Sequence, residues 1–205
     1  LDDLFQSTIL DYGGIVDMIQ GQKDGISGIS LGGGSGTFLP GSVFNALKEA
    51  GPDAGLALNQ PDAEITFMSK NIGKDADYGG QLFDLAFYAD AGNADAMKQA
   101  AGSGASSFTF AFAHNGNLPG MAQFSIRTNL AEGSQVNVYK YDSALNQFSQ
   151  IAGGARVGSG GVVTYMNNMT SEYIITTGII EGAIRTDAYT LFNNKGEAAG
   201  SSPVM

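Results

Sequence analysis

The second half of the chain alternates apolar and polar residues in short segments separated by glycine and asparagine. Phe108, Phe110 and Phe112 lie two residues apart, and Phe124 and Ile126 repeat this spacing one segment later. Because successive side chains in a strand point to opposite faces, this spacing predicts strands with one buried face. Six such segments in succession predict an antiparallel β-sandwich or an open barrel. The predicted strands cover residues 106–113, 121–128, 135–141, 147–152, 161–166 and 172–177.

The first half of the chain contains helical patterns. Apolar residues among acids in residues 1–20 predict a helix that is broken at Gly13-Gly14. A second helix is expected after the N-cap Ser42 and should end at Gly51-Pro52. Alanine, methionine and lysine at 94–101 predict a third helix.

We therefore predict an α+β protein that is mainly β, with a helix-containing N-terminal unit followed by an antiparallel β-sandwich. In the first unit, the runs 56–58 and 63–68 flank a proline-containing turn and should pair antiparallel, and 82–88 should be another strand. The predicted divisions are an N-terminal helical segment at 1–28, an α+β unit at 29–105, a β-sandwich unit at 106–178 and a C-terminal strand or linker at 179–205, with its strand at 188–192.

Charge and composition exclude several classes of protein. The formal net charge is −10, so a phosphate backbone would be repelled, and nucleic acid is not an expected partner. The chain has no cysteine, which excludes disulfides and thiolate metal sites and is common among surface proteins of Gram-positive bacteria. No apolar run is long enough for a membrane-spanning helix, so we expect no membrane insertion of this chain.

One set of polar and aromatic residues is a candidate ligand-binding strip. Asn137, Tyr139 and Tyr141 should share one face of a strand, and Phe148 and Tyr165 become their neighbours if adjacent segments pair antiparallel. If exposed, these rings could stack on sugars. The alternative is that they belong to the packed core, with tyrosine hydroxyls at its rim.

A second candidate is a calcium site. Asp90, Asn93 and Asp95 bring oxygen donors close together in sequence, and Asp75 and Asp77 do the same. Such donors suit a hard cation, although neither group matches the twelve-residue EF-hand loop. The alternative is ordinary turn chemistry, since aspartate, asparagine and glycine are also the preferred turn residues.

Catalytic signatures are weak. His114 is the single histidine, no G-x-S-x-G motif accompanies it, and a hydrogen-bonded structural role is expected for it. The glycines at 32–36 are not followed by Gly-Lys-Ser/Thr, which excludes a phosphate-binding loop of that type. A glycoside hydrolase needs only two carboxylates, so paired acids keep that alternative open.

Four phrases carry a resemblance to known proteins. They resemble modules of large secreted or cell-surface proteins of anaerobic Gram-positive bacteria, of the adhesin-associated or cellulosome-associated type. The resemblance covers about residues 29–178 and includes no catalytic signature. The phrases are Leu39-Pro-Gly-Ser-Val-Phe-Asn-Ala-Leu-Lys, His114-Asn-Gly-Asn-Leu-Pro-Gly, Val138-Tyr-Lys-Tyr-Asp and Ser171-Glu-Tyr-Ile-Ile-Thr-Thr.

The resemblance implies a secreted or surface-exposed β module. Together with the composition, it predicts a non-catalytic module of a larger protein that acts in adhesion, scaffolding or attachment to a substrate, with carbohydrate binding as the first activity to test. The expected partner is a polysaccharide or a host or cell-surface protein, and calcium is the one cofactor considered. A purely structural spacer and a glycoside hydrolase with paired carboxylates remain the alternatives.

Overall fold

The computed structural model describes residues 12–21, 29–31 and 37–185. Within these residues the chain forms three helices: α1 (Tyr12–Gly21), α2 (Gly41–Glu49) and α3 (Ala94–Ala101). The strands are β1 (Ile29–Leu31), β2 (Phe38–Pro40), β3 (Gly55–Asn59), β4 (Ala63–Ile72), β5 (Leu82–Asp84), β6 (Phe87–Tyr88), β7 (Ser107–Arg127), β8 (Gln135–Asp142), β9 (Gln147–Arg156), β10 (Val162–Thr176) and β11 (Ile184–Arg185).

Nine of these strands form one mixed sheet. Its order is β1-β3-β4-β7-β10-β8-β9-β11, and β6 also pairs with β7. Pairing is antiparallel except between β1 and β3 and between β9 and β11. Strands β2 and β5 form a separate antiparallel pair. The prediction of a mainly β protein is confirmed.

The centre of the sheet is a long ribbon of two strands, β7 and β10. Each was predicted as two strands with a turn between them. That prediction was wrong, because β7 and β10 both continue as strands through the supposed turns. The register of β10 against β7 instead shifts between Asn167 and Met169 and again between Thr170 and Glu172. Such β-bulges bend a strand and increase its twist. Asparagine and glycine here mark a bend within the ribbon.

The bend divides the sheet into two halves with a common core. Strand β4 pairs with β7 mainly at residues 122–126, whereas β8 pairs with β10 at residues 172–176, beyond the bulges. We call the face that carries Val136 and Val138 the inner face. It forms one buried cluster with Phe67 of β4 and Phe124 of β7. Each such side chain contributes roughly 1.5–3 kcal/mol when fully buried.

Helix α2 closes the inner cluster at one end. Phe44 lies edge-on to Phe67, with ring centroids 4.9 Å apart, and edge-on to Phe83 at 5.1 Å. The helix begins at Gly41, with Pro40 as the N-cap residue and no side-chain cap. The prediction that Ser42 is the N-cap was therefore wrong. It ends at Glu49, close to the predicted Gly51-Pro52.

Helix α3 covers the opposite face of β8 and β10, which we call the outer face. Met97 and Ala101 are buried there with Tyr139, Ile174 and Ile180. The helix has the predicted bounds. It places its N-terminus beside β10, where Asn93 hydrogen-bonds Glu172.

Several other predictions can be compared with the described residues. The hairpin of 56–58 and 63–68 is confirmed as β3 and β4. Gly13-Gly14 lies in the first turn of α1, and the break predicted there stays a prediction because the residues before Tyr12 are not described. Residues 1–11 and the predicted strand at 188–192 lie outside the described residues. Among those that are described, no helix is long and apolar enough to cross a membrane.

The sheet continues across the predicted division between residues 105 and 106. Both β4 and β6, from the first predicted unit, pair with β7, from the second. The division into units stays a prediction.

Candidate functional site

The predicted aromatic strip is buried. Tyr139, Tyr141 and Phe148 do share the outer face, and the rings of Tyr141 and Phe148 are 4.7 Å apart. These three side chains are only 2%, 6% and 9% exposed, because α3 and Ile180 pack on that face. Tyr165 lies on the inner face and stacks on Phe124, with a centroid distance of 5.4 Å. The core-packing alternative therefore describes these four rings.

The side-chain amide of Asn137, the remaining residue of the predicted strip, is hydrogen-bonded to neighbouring parts of the chain. Its Nδ2 donates to the Gly178 carbonyl at 3.2 Å. Its Oδ1 accepts from Gln150 Nε2 and from the Gly154 N–H, both at 3.2 Å. These bonds connect β8 to β9 and to the segment after β10.

A cleft of about 330 Å³ opens where β8 ends beside the bend of the β7–β10 ribbon. It is polar and open to solvent on one side. We call it the β8 cleft. Its lining residues are Ala111, Phe112, Asn115, Lys140, Tyr141, Asp142, Ser143, Ala144, Ser171 and Glu172.

The lining of the β8 cleft combines hydrogen-bond donors and acceptors. Glu172 is oriented by Asn93, whose Nδ2 donates to Glu172 Oε2 at 2.7 Å. Asp142 Oδ1 accepts the backbone N–H groups of Ala144 and Leu145, both at 3.1 Å. The Lys140 ammonium contacts the Met169 sulfur at 3.6 Å, and a thioether is only a weak acceptor. Two carboxylates are thus oriented at the cleft, whereas Lys140 is opposed to Tyr173 across the sheet and its ammonium contacts Met169.

An exposed tyrosine lies in line with the cleft. Tyr88, Ala111, Glu172, Tyr141 and Phe148 occupy directly opposed positions on β6, β7, β10, β8 and β9. Residues opposed across a sheet have their side chains on one face. Tyr88 is 53% exposed, whereas Tyr141 and Phe148 are buried. This row therefore ends in an aromatic ring available to a ligand.

The residues of the predicted calcium site surround the start of α3. Asn93 is engaged with Glu172, and Asp90 and Asp95 are exposed on either side of it. In residues 12–21, 29–31 and 37–185, no group of three or more histidine and acidic side chains could hold a metal ion. Calcium binding by Asp90, Asn93 and Asp95 stays a prediction.

One acid of the second predicted pair, Asp77, fixes a loop. Asp77 Oδ1 accepts the Gly79 N–H at 2.8 Å and Asn45 Nδ2 at 2.7 Å. These two hydrogen bonds lower the pKa of Asp77 because they stabilise its carboxylate. The loop after β4 is thereby attached to α2.

His114 lies at the bend of β7. Its Nε2 is 3.3 Å from the Asn117 carbonyl oxygen, and its ring centroid is 5.3 Å from that of Phe83. These contacts fit the structural role expected for it.

A second cleft, of about 260 Å³, lies at the turn between β3 and β4. Arg127 Nε and Asp62 Oδ1 lie 3.9 Å apart there, and both side chains are largely exposed. None of the residues predicted to form a site lines it.

Sequence reasoning missed most of the β8 cleft. Asn115, Lys140, Asp142 and Glu172 come from three strands that are distant in sequence, and Tyr88 comes from a fourth. The signal that could have found them is the strand register, because it aligns Tyr88 and Glu172 with Tyr141.

The β8 cleft gathers parts of both predicted sites, since Tyr141 lines it and Asn93 orients one of its carboxylates. Comparisons of this chain with protein-family models, with curated proteins and with solved structures find no match.

Proposed function

We propose that this chain is a non-catalytic module of a larger secreted or cell-surface protein, and that it attaches to carbohydrate through the β8 cleft. The observation that carries the proposal is a polar cleft with both donors and acceptors, aligned with the exposed ring of Tyr88. Sugar hydroxyls both donate and accept hydrogen bonds, and the apolar face of a sugar packs on an aromatic ring.

The scaffold supports this role. Binding residues are most effective when rigid elements position them, and the cleft is formed where β8 ends beside the bend of the paired strands β7 and β10. We take the bent sheet to be a β-sandwich, in which the inner faces of the two halves enclose the common core.

Charge favours a neutral polymer as the ligand. The chain carries a net charge of −10, so a polyanion would be repelled over most of the surface. Residues of both charge signs line the cleft: Lys140, Asp142 and Glu172.

The resemblance stated above concerns the same residues. Three of its four phrases contribute to the lining: Asn115 from the second, Lys140 to Asp142 from the third, and Ser171 with Glu172 from the fourth. A secreted attachment module is the function that this resemblance implies.

The test is a binding screen of the full chain against soluble and insoluble plant, starch and bacterial cell-wall polysaccharides, with and without calcium. We expect retention on one polymer, weakened at least about tenfold by Tyr88→Ala and by Glu172→Gln. Gln123→Ala is the matched control, because Gln123 is an exposed residue of β7 that does not line the cleft.

The other outcomes separate the alternatives. No retention on any polymer would favour a spacer or a protein-binding module. Release of reducing ends from a polymer, abolished by Asp142→Asn or Glu172→Gln, would identify a glycoside hydrolase, since these two acids line the same cleft.

A further inference from the structure

The β8 cleft contains an asparagine that is followed by glycine. Asn115 is exposed and lines the cleft, and Gly116 is the next residue of β7. Asparagine is chemically labile, because its side-chain amide can react with the N–H of the following residue. In the whole sequence, Asn115 is the single asparagine that glycine follows. Since glycine has no side chain, steric hindrance to this reaction is smallest at this position.

The main chain at Asn115 is only partly held by neighbouring strands. Strand β7 is opposed to β10 at Ala111 and again at Gly116, so residues 112–115 of β7 have only Ser171 opposite them. The Ala113 N–H donates to the Ala86 carbonyl at 2.9 Å. Residues 114–115 have no opposed residue in the ladders of β7 with β4, β6 and β10. Backbone torsions in such a bulge are less restricted than in a continuous ladder.

The side chain of Asn115 is free to turn. In the part of the chain that the structure describes, no hydrogen bond holds its amide. The amides of Asn137 and Asn167, by contrast, are bonded to the Gly178 and Met169 carbonyls. The Asn115 side chain can therefore rotate toward its own main chain without losing a hydrogen bond, and solvent in the open cleft reaches it.

The backbone requires glycine beside Asn115. Gly116 has a φ of +154°, which residues with a side chain rarely adopt. A different residue at this position would be strained, and its side chain would crowd the neighbouring main-chain nitrogen. The fold therefore retains next to Asn115 the residue type that least obstructs attack on its amide.

We propose that Asn115 is a self-modification site, at which the chain converts an amide of the β8 cleft into a carboxylate. The Gly116 nitrogen attacks Asn115 Cγ and forms a bond to it, and ammonia leaves with the proton of that N–H. Water then opens the resulting cyclic imide at either of its carbonyls, which gives aspartate or isoaspartate. The two reacting groups belong to adjacent residues, so the step is intramolecular and needs only water as co-reactant.

The conversion changes the charge of the β8 cleft. Asp142 and Glu172 already line it, and either product at position 115 adds another carboxylate. Isoaspartate also lengthens the main chain of β7 by a methylene group at its bend. The released ammonia is lost to solvent, so the cleft becomes more acidic as the protein ages. This inference concerns the chain's own chemistry and does not depend on what the cleft binds.

The test is peptide mapping by mass spectrometry after incubation of the folded full chain in mildly alkaline buffer. We expect deamidation at Asn115 to be at least about tenfold faster than at Asn117, because intramolecular attack depends on close, unhindered approach. Asn117 is the matched control, since it is also exposed but precedes Leu118. Chromatography of the peptide should resolve both products, aspartate and isoaspartate.

Two variants separate ring closure from direct hydrolysis of the amide. Asn115→Gln keeps an exposed amide at the cleft but must close a larger ring, so deamidation at this position should slow at least about tenfold. Gly116→Ala crowds the attacking nitrogen and should also slow the reaction at Asn115. Because alanine is strained at this φ, Asn115→Gln decides the question if Gly116→Ala does not fold.

Three results would overturn the proposal. The first is an equal rate at Asn115 and Asn117 in the folded chain. The second is formation of aspartate without isoaspartate, because direct hydrolysis gives aspartate alone. The third is rapid deamidation of Asn115 in urea but not in the folded chain, because the fold would then protect the Gly116 nitrogen through its pairing with β10.

Discussion

At the scale of single residues, the buried tyrosines Tyr165 and Tyr173 of the inner face differ in whether their hydroxyl groups have hydrogen-bond partners. The Tyr173 hydroxyl donates to the Met169 carbonyl at 2.7 Å and accepts from Asn167 Nδ2 at 2.9 Å. The Tyr165 hydroxyl is also buried but has no hydrogen-bond partner among the described residues. A buried polar group without a partner costs free energy, whereas a bonded one does not.

The two hydroxyls should therefore respond oppositely to removal. Tyr173→Phe should lower the free energy of unfolding by about 1–2 kcal/mol, because the buried Asn167 amide loses a partner. Tyr165→Phe should leave it unchanged or raise it by up to about 1 kcal/mol. Urea denaturation of both variants and the wild type measures the difference. Equal losses in the two variants would mean that Tyr165 has a partner in solution.

The same two residues make the fold sensitive to high pH. Burial raises the pKa of Tyr165 well above its ordinary value, and the neighbouring Tyr173 raises it further. Burial also raises the pKa of Tyr173, while the hydrogen bond from Asn167 lowers it. Both phenols therefore stay neutral in the folded chain at pH values where an unfolded chain would ionise them.

The sign of the pH dependence follows from these raised pKa values. Stability from the two phenols is fully present below the ordinary tyrosine pKa of 10.0 and is lost as the pH rises above it. We expect the urea midpoint to fall between pH 9 and pH 11.5, roughly the range over which unfolded tyrosine ionises. The fall should be shallower in Tyr165→Phe. An equally steep fall in that variant would contradict the argument for Tyr165.

At the scale of elements, the local sequence pattern correctly predicted those helices and hairpins that depend on interactions between residues close in sequence. The bounds of α3 and the pairing of β3 with β4 were predicted correctly because helix propensity and turn chemistry act within a few residues. The continuity of β7 and β10 was missed. Asn115-Gly116 and 167–171 contain turn residues, but in the structure they form bulges, which only the partner strand distinguishes from turns.

The site depended on information of longer range. Alternation correctly placed Tyr139 and Tyr141 on one face, but it does not say that α3 covers that face. Tyr165 was assigned to the wrong group because β10 pairs with β8 only beyond its bulges. The β8 cleft required the register of four strands, which no local pattern contains.

The docking of α3 gives a prediction at this scale. Met97 is fully buried between α3 and the outer face, where it packs with Tyr139 and Ile174. Met97→Ala should lower the free energy of unfolding by about 2–4 kcal/mol, because it leaves a cavity. It should also speed hydrogen exchange in α3 more than in β7. Gln99→Ala, on the exposed side of the same helix, should change stability by less than about 0.5 kcal/mol. Similar effects of the two variants would show that α3 is not docked through Met97.

At the scale of the whole molecule, negative charge is largely uncompensated. The chain has 20 acidic side chains against 10 lysines and arginines. In the ranges 12–21, 29–31 and 37–185, one ion pair is close enough to count, Arg127 with Asp62 at 3.9 Å, and it is exposed. An exposed pair of this kind is worth at most about 1 kcal/mol. Folding therefore brings carboxylates close together without pairing them with cations, and their mutual repulsion opposes the compact state.

Salt should consequently stabilise this fold. Raising NaCl from about 0.01 M to 0.3 M shortens the screening length from about 30 Å to below 8 Å, which removes most of the repulsion between exposed carboxylates. We expect a gain of about 1 kcal/mol, seen as a rise of about 2–4 °C in Tm. The rise should level off by about 0.3 M, because screening saturates, whereas a general salting-out effect would continue to grow. The double variant Asp53→Asn/Asp75→Asn removes two exposed charges and should have a higher Tm at low salt and a smaller response. A salt response unchanged in that variant would show that repulsion between surface carboxylates does not limit the stability of the chain.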